Sequence, residues 1–472
     1  MKTLQVVKAR AYRIILVASL SWFALNSSSE LTMSQDPTSI EDCRGCHGKR
    51  ESDKAYRLVF KEWRRDPHAQ AYVKLLNVDS QRIVAKLTGT NLDVKSTAYR
   101  TYLREQCVSC HANEQTPDSK IVEHGVDCFV CHGPVSAWGE EHYSEKTLAL
   151  GSKRFDGTLR RNMESLVERA KMCTSCHVGE INRGPGLQDR EVDHRLMAAG
   201  HPPTYFDFEN YLERYLKHWD VEEENKRLGQ FPPYERWRVG KWVSAQTRLK
   251  LLQERARRTD ASSNAISESP HDWPEFTEYS CTSCHYPLAS KSWRQQVRSA
   301  SVYTWDEWYM EGLELTWPGA GDDQFAKSWL AALSELRSTL ESRSPNPSVI
   351  QSQTQVMIDL CQKAIDASVT PTESLLRAQL QRLLDNDSKV TSWETGAQWA
   401  TTARMLSDSL GWKEIDVTIE GSPPRGARGF FGYPSRFNSM ADLPSYEPFD
   451  WFRPDALSKY RESLQQQLGP KP

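Results

Sequence analysis

Apolar residues recur at helical spacing through much of the chain, most clearly in its last third. Phe325, Trp329, Leu333, Leu336 and Leu340 fall three or four residues apart, and Ile350, Met357, Cys361 and Ile365 continue the pattern. Leu375, Leu376, Leu380 and Leu383 follow Thr370-Pro371-Thr372-Glu373, which reads as a capping box with proline at the first helical position. A further helix is expected from about Trp393 to Leu410. Together these predict an α-helical bundle domain over 296–420. Cys361 sits on an apolar face, which predicts a buried, inert thiol. From Gly421 the chain is rich in proline, glycine and aromatic residues, so 421–472 is expected to lie over the surface as an extended tail.

The preceding region has shorter periodic segments. Helices are expected at 97–106 and 159–171, and a longer one at 234–258, where Trp237, Trp242, Leu249 and Leu252 recur. Serine-rich 259–269 predicts a loop. The expected class is therefore mainly α with little sheet. A chain of 472 residues implies two or three domains.

Composition raises a difficulty. Hydrophobic residues make up 38% and the mean hydropathy is −0.65, which predicts a thin core. Aromatic content of 10%, with 16 Trp, argues against disorder. Something besides aliphatic side chains must fill the interior. Net charge is only −2, so no basic footprint for nucleic acid or an anionic membrane surface is present. At the N-terminus Lys2, Lys8, Arg10 and Arg13 precede an apolar run from Ile14 to Leu25, and Asn26-Ser27-Ser28-Ser29 follows. That order predicts a signal peptide over 1–30, or an anchor if it stays uncleaved, and hence a periplasmic protein.

The cysteines point to what fills the core. Ten of the eleven form five C-x-x-C-H motifs: Cys43/Cys46/His47, Cys107/Cys110/His111, Cys128/Cys131/His132, Cys173/Cys176/His177 and Cys281/Cys284/His285. This is the attachment signature of c-type haem, in which the thiols become thioethers and the histidine supplies the proximal nitrogen to iron. Zinc knuckles need paired knuckles or a second histidine at defined spacing, and disulfides need no histidine at all. Five covalently bound haems are expected over 31–295. Their macrocycles would supply the missing apolar volume, and the many arginines could meet the propionates. Seven histidines remain as axial candidates: His68, His124, His142, His194, His201, His218 and His271. Met197 is an alternative ligand, although methionine more often packs.

Four stretches carry a family resemblance: Trp63-Arg-Arg-Asp-Pro-His68-Ala69; Gly125-Val-Asp-Cys-Phe-Val-Cys-His-Gly-Pro134 with His142 beyond it; Arg169-Ala-Lys-Met-Cys173-Thr-Ser-Cys-His177-Val; and His194-Arg-Leu-Met-Ala-Ala-Gly-His201-Pro202. Over about 40–220 the chain resembles the tetrahaem cytochrome c-554 family, which is related in haem packing to hydroxylamine oxidoreductase. The resemblance implies distal ligation by His68, His142 and His201, with His194 competing for the last role. In that family the second haem is five-coordinate, but here His124 or another spare histidine could close the site. The chain also departs from the family in its fifth motif, at Cys281, and in the segment beyond it. His218 and His271 both lie between the fourth and fifth motifs as candidates for the fifth haem.

The expected function is electron transfer through five haems between periplasmic redox partners. The alternative is a haem enzyme reducing or oxidising small nitrogen or sulfur compounds at one five-coordinate haem. All five motifs keep histidine, whereas multihaem nitrite reductases typically replace one by lysine. No catalytic residue is assigned. A third reading, a scaffold or sensory module docking through its helical domain, has no residue that selects it.

Overall fold

The computed structural model describes residues 43–44, 54–114, 123–133, 162–215, 217–219, 221–228, 231–262, 273–284, 303–317, 323–367, 370–385, 393–412 and 454–469. The protein is mainly α, as expected. Among the described residues no strand forms, and extended pairing is limited to the isolated bridges Glu180–Arg190 and Tyr279–Trp305. The principal helices are α1 (Lys54–Arg65), α2 (Val78–Thr88), α3 (Thr97–Gln106), α4 (Leu166–His177) and α5 (Pro233–Ser262). They are followed by α6 (Asp323–Leu340), α7 (Pro347–Asp366), α8 (Glu373–Asp385), α9 (Trp393–Ser409) and α10 (Pro454–Leu468). No helix among the described residues is long and apolar enough to cross a membrane. The N-terminal 1–30 segment lies outside the described residues.

Local chemistry sets the helix ends. Helix α3 has the expected bounds: Ser96 accepts from the Tyr99 backbone N–H, and the helix buries Tyr99 and Leu103. Helix α4 starts later than expected and runs further. Ser165 accepts from the N–H of Glu168, so Ser-x-x-Glu opens the helix there, and no breaker intervenes before His177. At α8, Thr372 caps the helix by accepting from the Leu375 N–H at 3.2 Å, and Pro371 precedes the cap instead of opening the helix. Helix α5 continues to Ser262, so the start of the expected 259–269 loop is helical. The tail expectation fails for α10: Tyr460 and Leu464 are buried in a core with Leu380 of α8 and Trp399 of α9, and apolar burial holds this segment helical.

The largest core does not stop at residue 296. It joins Leu166 and Ala170 of α4, Trp242, Leu249 and Leu252 of α5, Trp305 and Trp308, Trp329 and Leu336 of α6, and Ile350, Met357 and Cys361 of α7. Helix α5 lies at its centre, against both α4 and α7. The apolar clusters of the earlier region are small. One gathers Tyr72, Leu75, Val84, Tyr99, Leu103, Val108 and Ala112, and another Phe60, Trp63 and Ala69.

Candidate functional site

The motifs take short helical turns. In Cys128–His132, Asp127 accepts from the N–H groups of Phe129 and Val130, and Gly133 ends the turn at φ 85°. The fourth motif is the last turn of α4, and the second includes the turn Val108–His111. In such a turn two cysteines three residues apart and the following histidine share one side. The fifth motif opens as the 3-10 turn Cys281–Ser283, where Ser283 Oγ accepts from the Thr304 N–H at 2.9 Å. Beside it the buried Glu278 pairs with Arg248 at 3.0 Å and with Arg255. Cys46, His47, His142, His271 and His285 lie outside the described residues.

Cys284 corrects the expectation that the motif cysteines all line a haem-filled interior. It is exposed, whereas the other described motif cysteines are half-buried. The reason is local. The 3-10 turn ends at Cys284, whose N–H donates back to the Cys281 carbonyl at 3.2 Å, and neither cysteine belongs to the large apolar core. The fifth motif therefore stands at the protein surface, unlike the fourth, whose Cys173 packs against that core.

Two stretches of the resemblance form one unit. The Val126 N–H donates to the His68 carbonyl at 2.9 Å, and Trp63 Nε1 donates to the Val126 carbonyl at 3.1 Å. Gly125 makes this approach possible. Its φ is +72°, and a Cβ there would stand 2.6 Å from the His68 oxygen and 2.8 Å from the Ala69 oxygen.

Three pairs of histidines face each other. The ring centroids of His68 and His177 are 6.0 Å apart with planes at 90°. Those of His111 and His201 are 6.4 Å apart at 90°, and those of His132 and His218 are 6.2 Å apart at 84°. Two imidazoles bound to one metal through bonds of about 2 Å each have centroids roughly 6 Å apart. Each pair therefore fits one iron between two axial nitrogens, the porphyrin supplying the equatorial four. In three of these rings Nδ1 is already engaged, which leaves Nε2 for iron: His68 with Asp66 Oδ1 at 2.6 Å, His111 with the Ala71 carbonyl at 3.2 Å and His201 with the Pro202 carbonyl at 2.8 Å. Burial pushes His111 down to about 4 and His177 to about 3, and it also lowers His201 and His218. These rings are neutral at pH 7, the form that ligates metal.

The other candidates stand elsewhere. His124 has a buried Nδ1 with no hydrogen-bonding partner among the described residues. His194 opens a short helix, its N–H donating to Glu275 Oε1 at 2.9 Å and its ring 5.6 Å from Phe276. Met197 lies in the same short helix. The second motif's histidine thus faces His201, while His68 faces the fourth motif and His218 the third.

The motif cysteines also meet. The described cysteines are all unbridged, and those in the motifs stand where thioethers form on haem attachment. Cys43 hydrogen-bonds Cys128, Cys110 hydrogen-bonds Cys176, and Cys131 perturbs Cys173 electrostatically. Arg190 ties the second motif to the fourth: its Nε donates to the Ser109 carbonyl at 2.8 Å and its Nη1 to Ser175 Oγ at 2.7 Å. Sequence reasoning missed Arg190 and Asp66. Only Asp66 left a local sign, an Asp-Pro pair of the kind that caps a turn.

A mainly helical chain whose C-x-x-C-H turns face second histidines defines a c-type cytochrome. Residues 42–133 match the family model described as cytochrome c554 and c-prime. Over that segment, which carries the first three motifs, the chain is a c-type cytochrome of that family. The family implies covalently bound haem with iron and redox partners in electron transfer. No curated protein and no solved structure matches the chain.

Proposed function

We propose that the protein is an exported, periplasmic electron carrier with five covalently bound haems, passing electrons between redox proteins. The observation that carries this reading is the set of three histidine pairs, His68/His177, His111/His201 and His132/His218, each at the separation that one shared iron requires. Haem supplies one-electron chemistry when bound, and a site ligated on both sides changes redox state with little change in ligation. The cysteine contacts support a continuous route in the order first, third, fourth and second motif. His124 is the candidate for the iron at the first motif, because its buried free nitrogen lies four residues before Cys128, which meets Cys43. His142, His194 and His271 remain candidates for the fifth. The N-terminal order of basic, apolar and small residues supports export.

Thiol counting tests the haem number. Cys361 is fully buried and burial pushes its thiol up, so the native protein should react with no thiol reagent. Unfolded in denaturant, it should expose one thiol if all ten motif cysteines are thioethers, and each missing haem adds two. A pyridine haemochrome ratio of five haems per chain should agree. Three or more reactive thiols, or a different ratio, would refute five haems. Ferric EPR tests the carrier reading: low-spin signals are expected, and a large nitrite-sensitive high-spin fraction would oppose it.

A further inference from the structure

The three histidine pairs differ in what holds the second ring nitrogen. His201 and His111 reach backbone carbonyls at 2.8 and 3.2 Å, and His218 Nδ1 lies 3.4 Å from the Tyr215 hydroxyl. His68 instead meets a carboxylate. Asp66 is 1% exposed and caps the turn Pro67–Gln70. Its Oδ1 accepts from the His68 backbone N–H at 2.8 Å and lies 2.6 Å from His68 Nδ1. One oxygen therefore fixes both the backbone and the ring of this histidine. The ring's other nitrogen is left for the iron shared with His177.

Resting on the ligation proposed above, we infer that Asp66 is a positioning residue that makes the iron between His68 and His177 the lowest in potential of the three paired sites. A carboxylate at the far nitrogen raises the electron donation of an axial imidazole, and so stabilises Fe(III) over Fe(II). A backbone carbonyl or hydroxyl does this less, because it carries no net charge. The site is largely shielded from water, so the charge is weakly screened. The couple is one electron at iron, and no proton transfer is invoked. Asp66 also acts on His218 electrostatically, where Arg169 opposes it, so the His132/His218 site should feel the same charge more weakly. The cysteine contacts place the His68/His177 site between the second and third motifs. It would then be the uphill step of that route, not its sink.

The test uses the full, haem-loaded protein and Asp66→Asn, which keeps an acceptor at the capping position and removes the charge. In a dithionite titration followed by EPR and optical spectra, the lowest midpoint among the paired sites should rise by at least a tenfold change in its oxidised-to-reduced ratio, about 59 mV for one electron. A smaller rise is expected at the His132/His218 site and none at His111/His201. His68→Ala serves as the reference, converting one low-spin haem to high spin. If it converts none, the ligation reading itself fails. If it converts one while Asp66→Asn leaves every midpoint unchanged, the role of Asp66 alone is overturned. Should Asp66→Asn not assemble, near-infrared magnetic circular dichroism of the wild type decides. One low-spin charge-transfer band displaced to higher energy is expected from the more basic ligand, and a single undisplaced set would overturn the proposal.

Discussion

Replacing Gly125 by alanine should damage both stability and haem ligation, and Gly89 provides the control. Both residues have φ near +70°, at +72° and +68°, so the backbone strain of an L side chain is the same at each. That strain is about 1–2 kcal/mol, partly offset by about 0.4–1 kcal/mol from the stiffer unfolded chain. A Cβ at Gly89 meets nothing within 4 Å, so Gly89→Ala should cost only about 1 kcal/mol. At Gly125 the Cβ falls 2.6 Å from the His68 oxygen. Ordinary carbon–oxygen contact is about 3.3 Å, so the strands of chain must separate by roughly 0.7 Å. Neither neighbour is a flexible side-chain tip, since both are backbone carbonyls. Separation strains the Val126-to-His68 bond and the Trp63-to-Val126 bond, each worth about 1 kcal/mol, and overpacking adds about 1–3 kcal/mol. The expected loss is about 3–5 kcal/mol, several-fold that of Gly89→Ala.

The same displacement moves His68 away from His177, so Gly125→Ala should also show a high-spin ferric fraction that Gly89→Ala lacks. Urea unfolding of the two haem-loaded variants, with EPR on the same samples, measures both effects. Equal destabilisation with unchanged low-spin signals would refute the idea that the Gly125 approach positions His68.

Two further perturbations address other parts of the structure. Arg190→Met removes the buried fork between Ser109 and Ser175 and should lower stability by about 3–5 kcal/mol; Arg190→Lys should recover little, because one ammonium cannot span the same acceptors, and full recovery in thermal melts would contradict the clamp. Lys241, buried with its Nζ donating to the Glu311 carbonyl and to Gln398, is lowered by burial to about 8 from 10.5. Between those values the unfolded chain holds a proton that the folded chain has released, so unfolding free energy should rise with pH across that window, by up to about 3 kcal/mol. Lys241→Met should flatten this part of the profile in urea titrations, and identical slopes would count against it.

What the sequence made legible follows from the range of the forces involved. Helices α6, α7 and α9 were readable because one face of each is apolar at a regular spacing. The motif turns were readable because covalent attachment demands fixed neighbours. Helix α10 was missed because the proline- and glycine-rich composition from Gly421 was extended over it, although Leu457, Tyr460, Leu464 and Leu468 carry a helical period. The pairing of histidines was not readable at all. His68 faces the fourth motif, more than a hundred positions away, and only the fold brings them together. Arg190 is hidden for the same reason, since its acceptors belong to two separate motifs. The exposure of Cys284 is hidden too, because a C-x-x-C-H spacing reads the same at the surface as in the core.

The place of α5 changes how the helical region beyond residue 296 relates to the haem sites. Had that region been a separate bundle, α5 would bury one stripe. Instead Tyr234, Trp237, Val239, Trp242, Val243, Ala245, Leu249 and Leu251 are all buried, and these positions point around the whole helix. On one side Thr247 Oγ1 lies 3.0 Å from Thr174 Oγ1, inside the fourth motif. On the other, Gln246 Nε2 reaches Gln362 Oε1 of α7 at 3.1 Å, and Arg238 donates to the Ala364 carbonyl at 2.7 Å. A displacement of α7 therefore reaches the turn that carries Cys173, Cys176 and His177 through one rigid helix. The later helices thus form part of the wall that fixes the fourth motif.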